Sequence, residues 1–363
     1  MHIDEYSKTI FEWKFSPMAN YICPTYKVTK NESNSPRGLT LLLSLITGDQ
    51  KRLFDDVTAE RMYQCASCYL CTSLGYDETD PASLFIAARA DIAEKKLVPS
   101  AVLAHKEKLQ RKTEIPGLPK VTKNVDVAVV IDPVISSQFP EELKANLAIL
   151  DSAGIGYGIV GAERGSGAQL FELGFFAEAR EMAEAMREEL TSKKYRTRVF
   201  LSPYDYWFLT SGYRQIGLTG FDGVENIPYP AFLLRLVKEG KLRFSGTGQR
   251  KACCYLDAGH YVRPTSAFLG IEDLLGPTGR VEYKPLWRGG RLAPNDAGDF
   301  LPFIYPDLAA AINERLVAEL SETGSETVLV SCFYTLLNLR GAAASASMAV
   351  EDLGSFLLRC LKT

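Results

Sequence analysis

The sequence predicts an α + α/β protein: an all-helical N-terminal part followed by two duplicated α/β lobes. Three observations carry this. Residues 1 to about 120 show charges and apolar residues at helical spacing and no β-alternation. From Asn124 onward, short continuous apolar runs alternate with longer amphipathic segments, which is the pattern of βαβ units. That order then recurs, with LSPYDYWFL (201–209) and VSCFYTLLNL (330–339) in matching places. With 363 residues and roughly 100–200 per domain, the expected domains are 1–120, 121–245 and 246–363.

In chain order, Leu39–Gly48 is an apolar helical segment, and Asp56–Cys65 leads into a cysteine cluster. Ala82–Glu94 and Ser100–Lys112 are amphipathic. Arg111–Lys123 carries Pro116, Gly117 and Pro119 among charges and reads as a linker. The first lobe follows: strand Val125–Ile131, helix Glu142–Ala153, strand Gly154–Val160, helix Phe175–Ser192, strand Arg198–Leu201 and helix Tyr204–Gly212. In the second lobe the strands are Lys251–Leu256, Val281–Lys284 and Thr327–Ser331. Its helices are Ser266–Leu275, Ile304–Thr323 and Phe333–Leu339.

Composition excludes several function classes. Apolar residues make up 46% and charged residues 23%, an ordinary globular mixture. Lysine plus arginine number 41 against 44 acids, so no basic excess draws the chain to nucleic acid. The apolar run around Leu39 to Ile46 is far below the ~18 residues of a spanning helix. The N-terminus has no apolar h-region, so the expected location is cytoplasmic, with peripheral membrane association left to partners.

The chain has eight cysteines and three histidines. In a reducing compartment such a cysteine set points to metal binding or catalysis rather than disulfides. Cys65-Ala-Ser-Cys68-Tyr-Leu-Cys71 has the C-x₂-C-x₂-C spacing by which ferredoxin loops present thiolates to iron. The fourth cysteine of that motif is missing locally, where Gly75 and Tyr76 stand. A bare tripod suits a three-iron cluster, zinc, or a cluster with a distant fourth ligand.

Cys23-Pro24 supplies that distant ligand. It is the C-P ending of such a motif, whose other three positions hold Trp13, Ser16 and Ala19. In two-cluster ferredoxins the fourth cysteine of each run ligates the other cluster. Cys23, Cys65, Cys68 and Cys71 therefore make one complete ligand set, and the missing four make the other. The expectation is a single [4Fe-4S] cluster.

Cys23-Pro24, then Glu32-Ser-Asn-Ser-Pro-Arg-Gly38, then the Cys65 run resemble a known family. Its members are the CCG-domain iron–sulfur proteins that serve heterodisulfide reductase, glycolate oxidase and anaerobic glycerol-3-phosphate dehydrogenase. The resemblance covers nearly the whole chain. It implies an alpha-helical ferredoxin module followed by two cysteine-rich (CCG-like) lobes.

In the lobes the family's ligands are mostly gone. Ile131-Asp132 stands for its Gly-Cys, Glu163–Ser166 for its cysteine-rich turn, and Ser202-Pro-Tyr-Asp205 for its C-P-x-C. In the second lobe only Cys254, with Cys253 before it, and Cys332 remain. Trp287–Phe300 carries no cysteine. A residual zinc or cluster at Cys253, Cys254 and Cys332 is the lesser alternative to small buried residues at strand ends. Cys360 reads as core.

The resemblance thus implies an electron-transfer subunit of a multi-subunit oxidoreductase, not a catalytic subunit by itself. Its partner would be a flavoprotein or an intact heterodisulfide-reductase-like iron–sulfur subunit. The alternative is a structural pseudo-subunit whose lobes dock other subunits, with the cluster as a staple. A redox-active Cys253/Cys254 pair is a third reading. Gly165-x-Gly167 and Gly289-Gly290 lack a dinucleotide-loop context. Glu141-Glu142 and Glu188-Glu189 read as solvated faces, and His260 as structural.

Overall fold

The computed structural model describes residues 1–48, 54–75, 79–113, 125–221, 223–246, 248–267 and 269–362. They are mixed α/β with two four-stranded parallel sheets. The chain forms two compact units. The first is Met1–Arg111 with Ala168–Ala179 and Pro294–Leu316; the second is Lys112–Gly167, Arg180–Ala293 and Val317–Thr363. The segments 168–179 and 294–316 thus pack with the N-terminal residues, outside the consecutive boundary expected at 120. Most of the expected linker lies outside the described residues.

The first unit is helical. It contains α1 (Ser7–Trp13), α2 (Pro24–Thr29), α3 (Pro36–Thr47), α4 (Asp56–Tyr63), α5 (Pro81–Glu94) and α6 (Ser100–Leu109). Local chemistry starts three of them. Ser35, Asp55 and Asp80 each accept a backbone N–H from the third residue onward, and Pro36 and Pro81 occupy first helical positions. α5 is buried along almost its whole length, from Pro81 to Ile92. A helix buried all round lies in the middle of a core, and α1, α3 and α4 pack on it.

The second unit holds both sheets. The first has β1 (Val127–Val130), β2 (Tyr157–Val160), β3 (Thr197–Phe200) and β4 (Glu225–Pro228), in the order β2-β1-β3-β4. The second has β5 (Lys251–Leu256), β6 (Val281–Tyr283), β7 (Thr327–Val330) and β8 (Ala349–Asp352), in the order β6-β5-β7-β8. The two orders are the same. The central strands β1, β3 and β7 are buried without alternation, as strands covered on both faces are.

Val130 pairs with Phe200 and Leu256 with Val330. The segments leaving β1 and β3 therefore emerge side by side, as do those leaving β5 and β7. The helix expected over 266–275 is confined to Ile271–Leu275, with a separate turn at Gly259–Val262. Ser266 adopts a positive φ of 55°, which a helix interior does not accommodate.

Candidate metal centre

Cys23, Cys65, Cys68 and Cys71 line one small cavity of the first unit. Its walls are mostly apolar: Pro24, Pro36, Leu39, Leu70 and Phe85, with Asn34 as a polar member. Cys68 is buried and the other three are half-buried. Three of the four sit at the edge of a helical turn. Cys23 is the N-cap of α2, and Cys71 caps the turn Thr72–Leu74. Cys65 follows the C-cap of α4, Gln64.

The loop between Cys65 and Cys71 carries two non-glycine residues at positive φ, Ser67 at 47° and Tyr69 at 56°. Such conformations cost of order 1–3 kcal/mol each and persist only where surroundings impose them. Here they flank Cys68 and reverse the chain on both sides of it.

Gln64, which no sequence motif singles out, ties the cysteine segments together. Its carbonyl accepts the Thr25 hydroxyl at 3.1 Å, and its Oε1 accepts Asn34 Nδ2 at 2.7 Å and an Arg61 N–H at 2.8 Å. Asn34 belongs to the Glu32–Gly38 motif. Glu32 accepts from Asn20, Ser35 and Arg37. A Cβ at Gly38 would lie 1.9 Å from the Glu32 carbonyl oxygen, so only glycine lets α3 begin this close to the loop.

Arg89 of α5 is fully buried beneath the cysteine loop. Its Nε and Nη2 donate to the Met62 carbonyl at 3.0 and 2.8 Å, and Nη2 also donates to the Cys65 carbonyl at 2.6 Å. Nη1 donates to Ser67 Oγ at 2.6 Å and the Glu172 carbonyl at 2.8 Å. The Tyr63 and Phe300 rings lie 5.6 and 5.0 Å from the guanidinium carbon. Gly174, at φ 83°, lets its segment press on α5 at Arg89, where a Cβ would stand 2.4 Å from backbone.

Burial pushes the thiols of Cys23, Cys65 and Cys71 up, and the neighbouring cysteines add to this at Cys23 and Cys71. At Cys65 the Arg89 guanidinium works against burial. Ligation needs thiolates, so metal binding here must displace protons.

The donor set, four cysteine thiols, suits a soft metal ion or an iron–sulfur cluster. Among the described residues, the one trio of possible ligands whose atoms all lie within 4.8 Å of one another is His2, Asp91 and Glu94, not the cysteines. Zinc, with Zn–S near ~2.3 Å, would draw its thiolates to within about 4 Å of each other. No three of the four sulfurs all lie within 4.8 Å of one another. In the His2 trio, Asp91 accepts the N–H groups of His2 and Ile3 at 2.8 and 3.1 Å, which explains it as an anchor for the N-terminus.

The other expected cysteines do not converge. Cys253 and Cys254 are consecutive on β5 and point to opposite faces of the sheet. Both are buried, as are Cys332 and Cys360.

Around the first sheet, the residues expected to replace lost cysteines do meet. Asp132 accepts the N–H groups of Val134 and Ile135 at 2.8 and 3.0 Å. Ser166 donates to Asp205, whose own N–H donates to Ser202 Oγ at 3.3 Å. Ser202 also bonds the side chains of Asp132 and Asp205. All four residues are buried. Burial raises both carboxyls, and at Asp132 the charge of Asp205 adds to it.

Tyr204 and Trp207 are buried and pack on His260, at ring distances of 4.1 and 5.3 Å. Trp287, by contrast, is 78% exposed.

The sequence matches no family model and no curated protein. Among solved structures it is similar to allantoin racemase from Pseudomonas fluorescens, at 10% identity and a TM-score of 0.24, over 64% of this chain and 87% of that one. It is also similar to a LacI family transcriptional regulator from Enterococcus faecium with bound ribose, at 11% identity and a TM-score of 0.19, over 62% and 75%. Likeness at that level carries no argument. No helix among the described residues is long and apolar enough to cross a membrane.

Proposed function

We propose that this chain is a one-cluster iron–sulfur subunit of a larger oxidoreductase. Cys23, Cys65, Cys68 and Cys71 would hold one [4Fe-4S] cluster, which when bound carries one electron at a time. The observation that supports this is the lining of a single cavity by four cysteines from two segments 42 to 48 residues apart. The helical unit would then be an alpha-helical ferredoxin module, and the two like-ordered sheets a duplicated pair of CCG-like lobes.

The chain's own residues have definable tasks in this reading. Pro24, Pro36, Leu39 and Phe85 exclude water from the site. Gln64 and Asn34 register the Cys23 segment against the Cys65 loop. With carboxyls and serines in place of cysteines in the first lobe, a two-electron step belongs to a partner, a flavoprotein or an intact iron–sulfur homologue.

Anaerobically purified chain is expected to contain about four irons and four acid-labile sulfides. Zinc without iron would end the electron-transfer reading. Cys23→Ser is expected to damage the cluster as badly as Cys68→Ser, whereas Cys360→Ser leaves it intact. A normal cubane spectrum in Cys23→Ser would place the fourth ligand elsewhere. A cluster that cannot be reduced, yet is needed for folding, would favour the docking pseudo-subunit.

A further inference from the structure

Arg89 is buried to zero exposure, a rare state for a permanently charged side chain. Its five N–H donors are all spent, and every acceptor is neutral: the carbonyls of Met62, Cys65 and Glu172 and the hydroxyl of Ser67. Hydrogen bonds of this kind satisfy the donors but leave the charge itself unbalanced. A buried charge is normally retained only with a counter-charge.

The nearby Glu172 carboxyl is a poor candidate, because burial raises it to about 8 even though a hydrogen bond with Asp299 and the Arg89 charge both work to lower it. Two of Arg89's acceptors, the Cys65 carbonyl and the Ser67 hydroxyl, lie in the cysteine loop itself. Four thiolates around an iron–sulfur core leave a net negative charge, which grows when the cluster is reduced.

We propose that Arg89 is a positioning residue whose buried positive charge is the counter-charge of the metal centre and stabilises its reduced state. This rests on the cluster reading above. The guanidinium fork also suits the loop geometry, because it spans Met62, Cys65 and Ser67 at once. A charge fixed within the outer sphere of a cluster sets its potential together with hydrogen bonding and burial.

The test uses the full chain, purified anaerobically, with iron content and the midpoint potential by electron paramagnetic resonance titration as readouts. Arg89→Gln, which keeps polarity and removes the charge, is expected to bind iron and to lower the potential by at least 59 mV. That is a tenfold loss in the reduction equilibrium for one electron. Arg89→Lys, which keeps the charge, is expected to stay within that interval of the native potential.

An iron-loaded Arg89→Gln at the native potential would overturn the proposal. If Arg89→Gln does not fold, Arg89→Lys decides. Iron at the native potential supports the proposal, whereas iron lost with native circular dichroism, or a lysine variant that is also unfolded, overturns it. A native chain without iron would refute the cluster reading, and the counter-charge role of Arg89 with it.

Discussion

Asp132 and Asp205 are two carboxyls held out of water with serines between them. Burial favours their protonated forms, and the charge of Asp205 further disfavours ionisation of Asp132. The sign of the linkage follows. Both folded-state values lie above the unfolded value of ~3.9, so the stability they contribute is fully present below that pH and is lost as pH rises toward neutrality. Asp132→Asn keeps an oxygen to accept the N–H groups of Val134 and Ile135 but cannot ionise. Thermal melts between pH 5 and pH 8 are expected to fall less steeply for Asp132→Asn than for the native chain. An unchanged slope would mean that the pair ionises without cost.

Among the elements, the start of α3 governs how the Cys23 and Cys65 segments meet. Ser35 caps it at Gly38 N–H, 2.9 Å away, and Gly38 admits the Glu32 carbonyl where a methyl group would collide. Gly38→Ala must push the Glu32 loop aside. Overpacking of this sort costs ~1–3 kcal/mol, and the same displacement moves Asn34 away from Gln64. The expected result is a lower melting temperature together with reduced iron content. Native iron content in Gly38→Ala would show that α3 and the cysteine loop are independent. The edge strands follow a different logic. β4 (ENIP) ends in proline and β8 (AVED) in two acids, residues that only a strand with one open side tolerates.

At the scale of the whole molecule, the second unit has the framework of two parallel sheets but carboxyl, serine and aromatic side chains at the segments leaving their central strands. Ligands in open α/β sheets collect at that end, and here the space is filled by Tyr204, Trp207, His260 and Tyr334. The pure chain is therefore expected to show no turnover of disulfides or 2-hydroxy acids with an artificial dye. From its source it is expected to co-purify with a flavin-bearing or multi-cluster subunit. Turnover by the chain alone would demand a catalytic site elsewhere in the chain.

The sequence by itself determined what depends on neighbours along the chain: the helical segments around Leu39–Gly48, Asp56–Cys65 and Ala82–Glu94, the central strands, and the C-x₂-C-x₂-C spacing. It grouped Cys23 with that run through motif arithmetic. It missed β4, β8 and the helix Tyr229–Lys238, because edge strands carry too few apolar residues to stand out and the helix follows one of them directly. Only the tertiary structure decided the rest. Whether Arg89 lies in solvent or under the cysteine loop, and whether Asp132 meets Asp205 across 73 positions, depends on chain segments brought together by burial of apolar surface. That force is non-directional, so it leaves no local pattern at the polar residues it encloses.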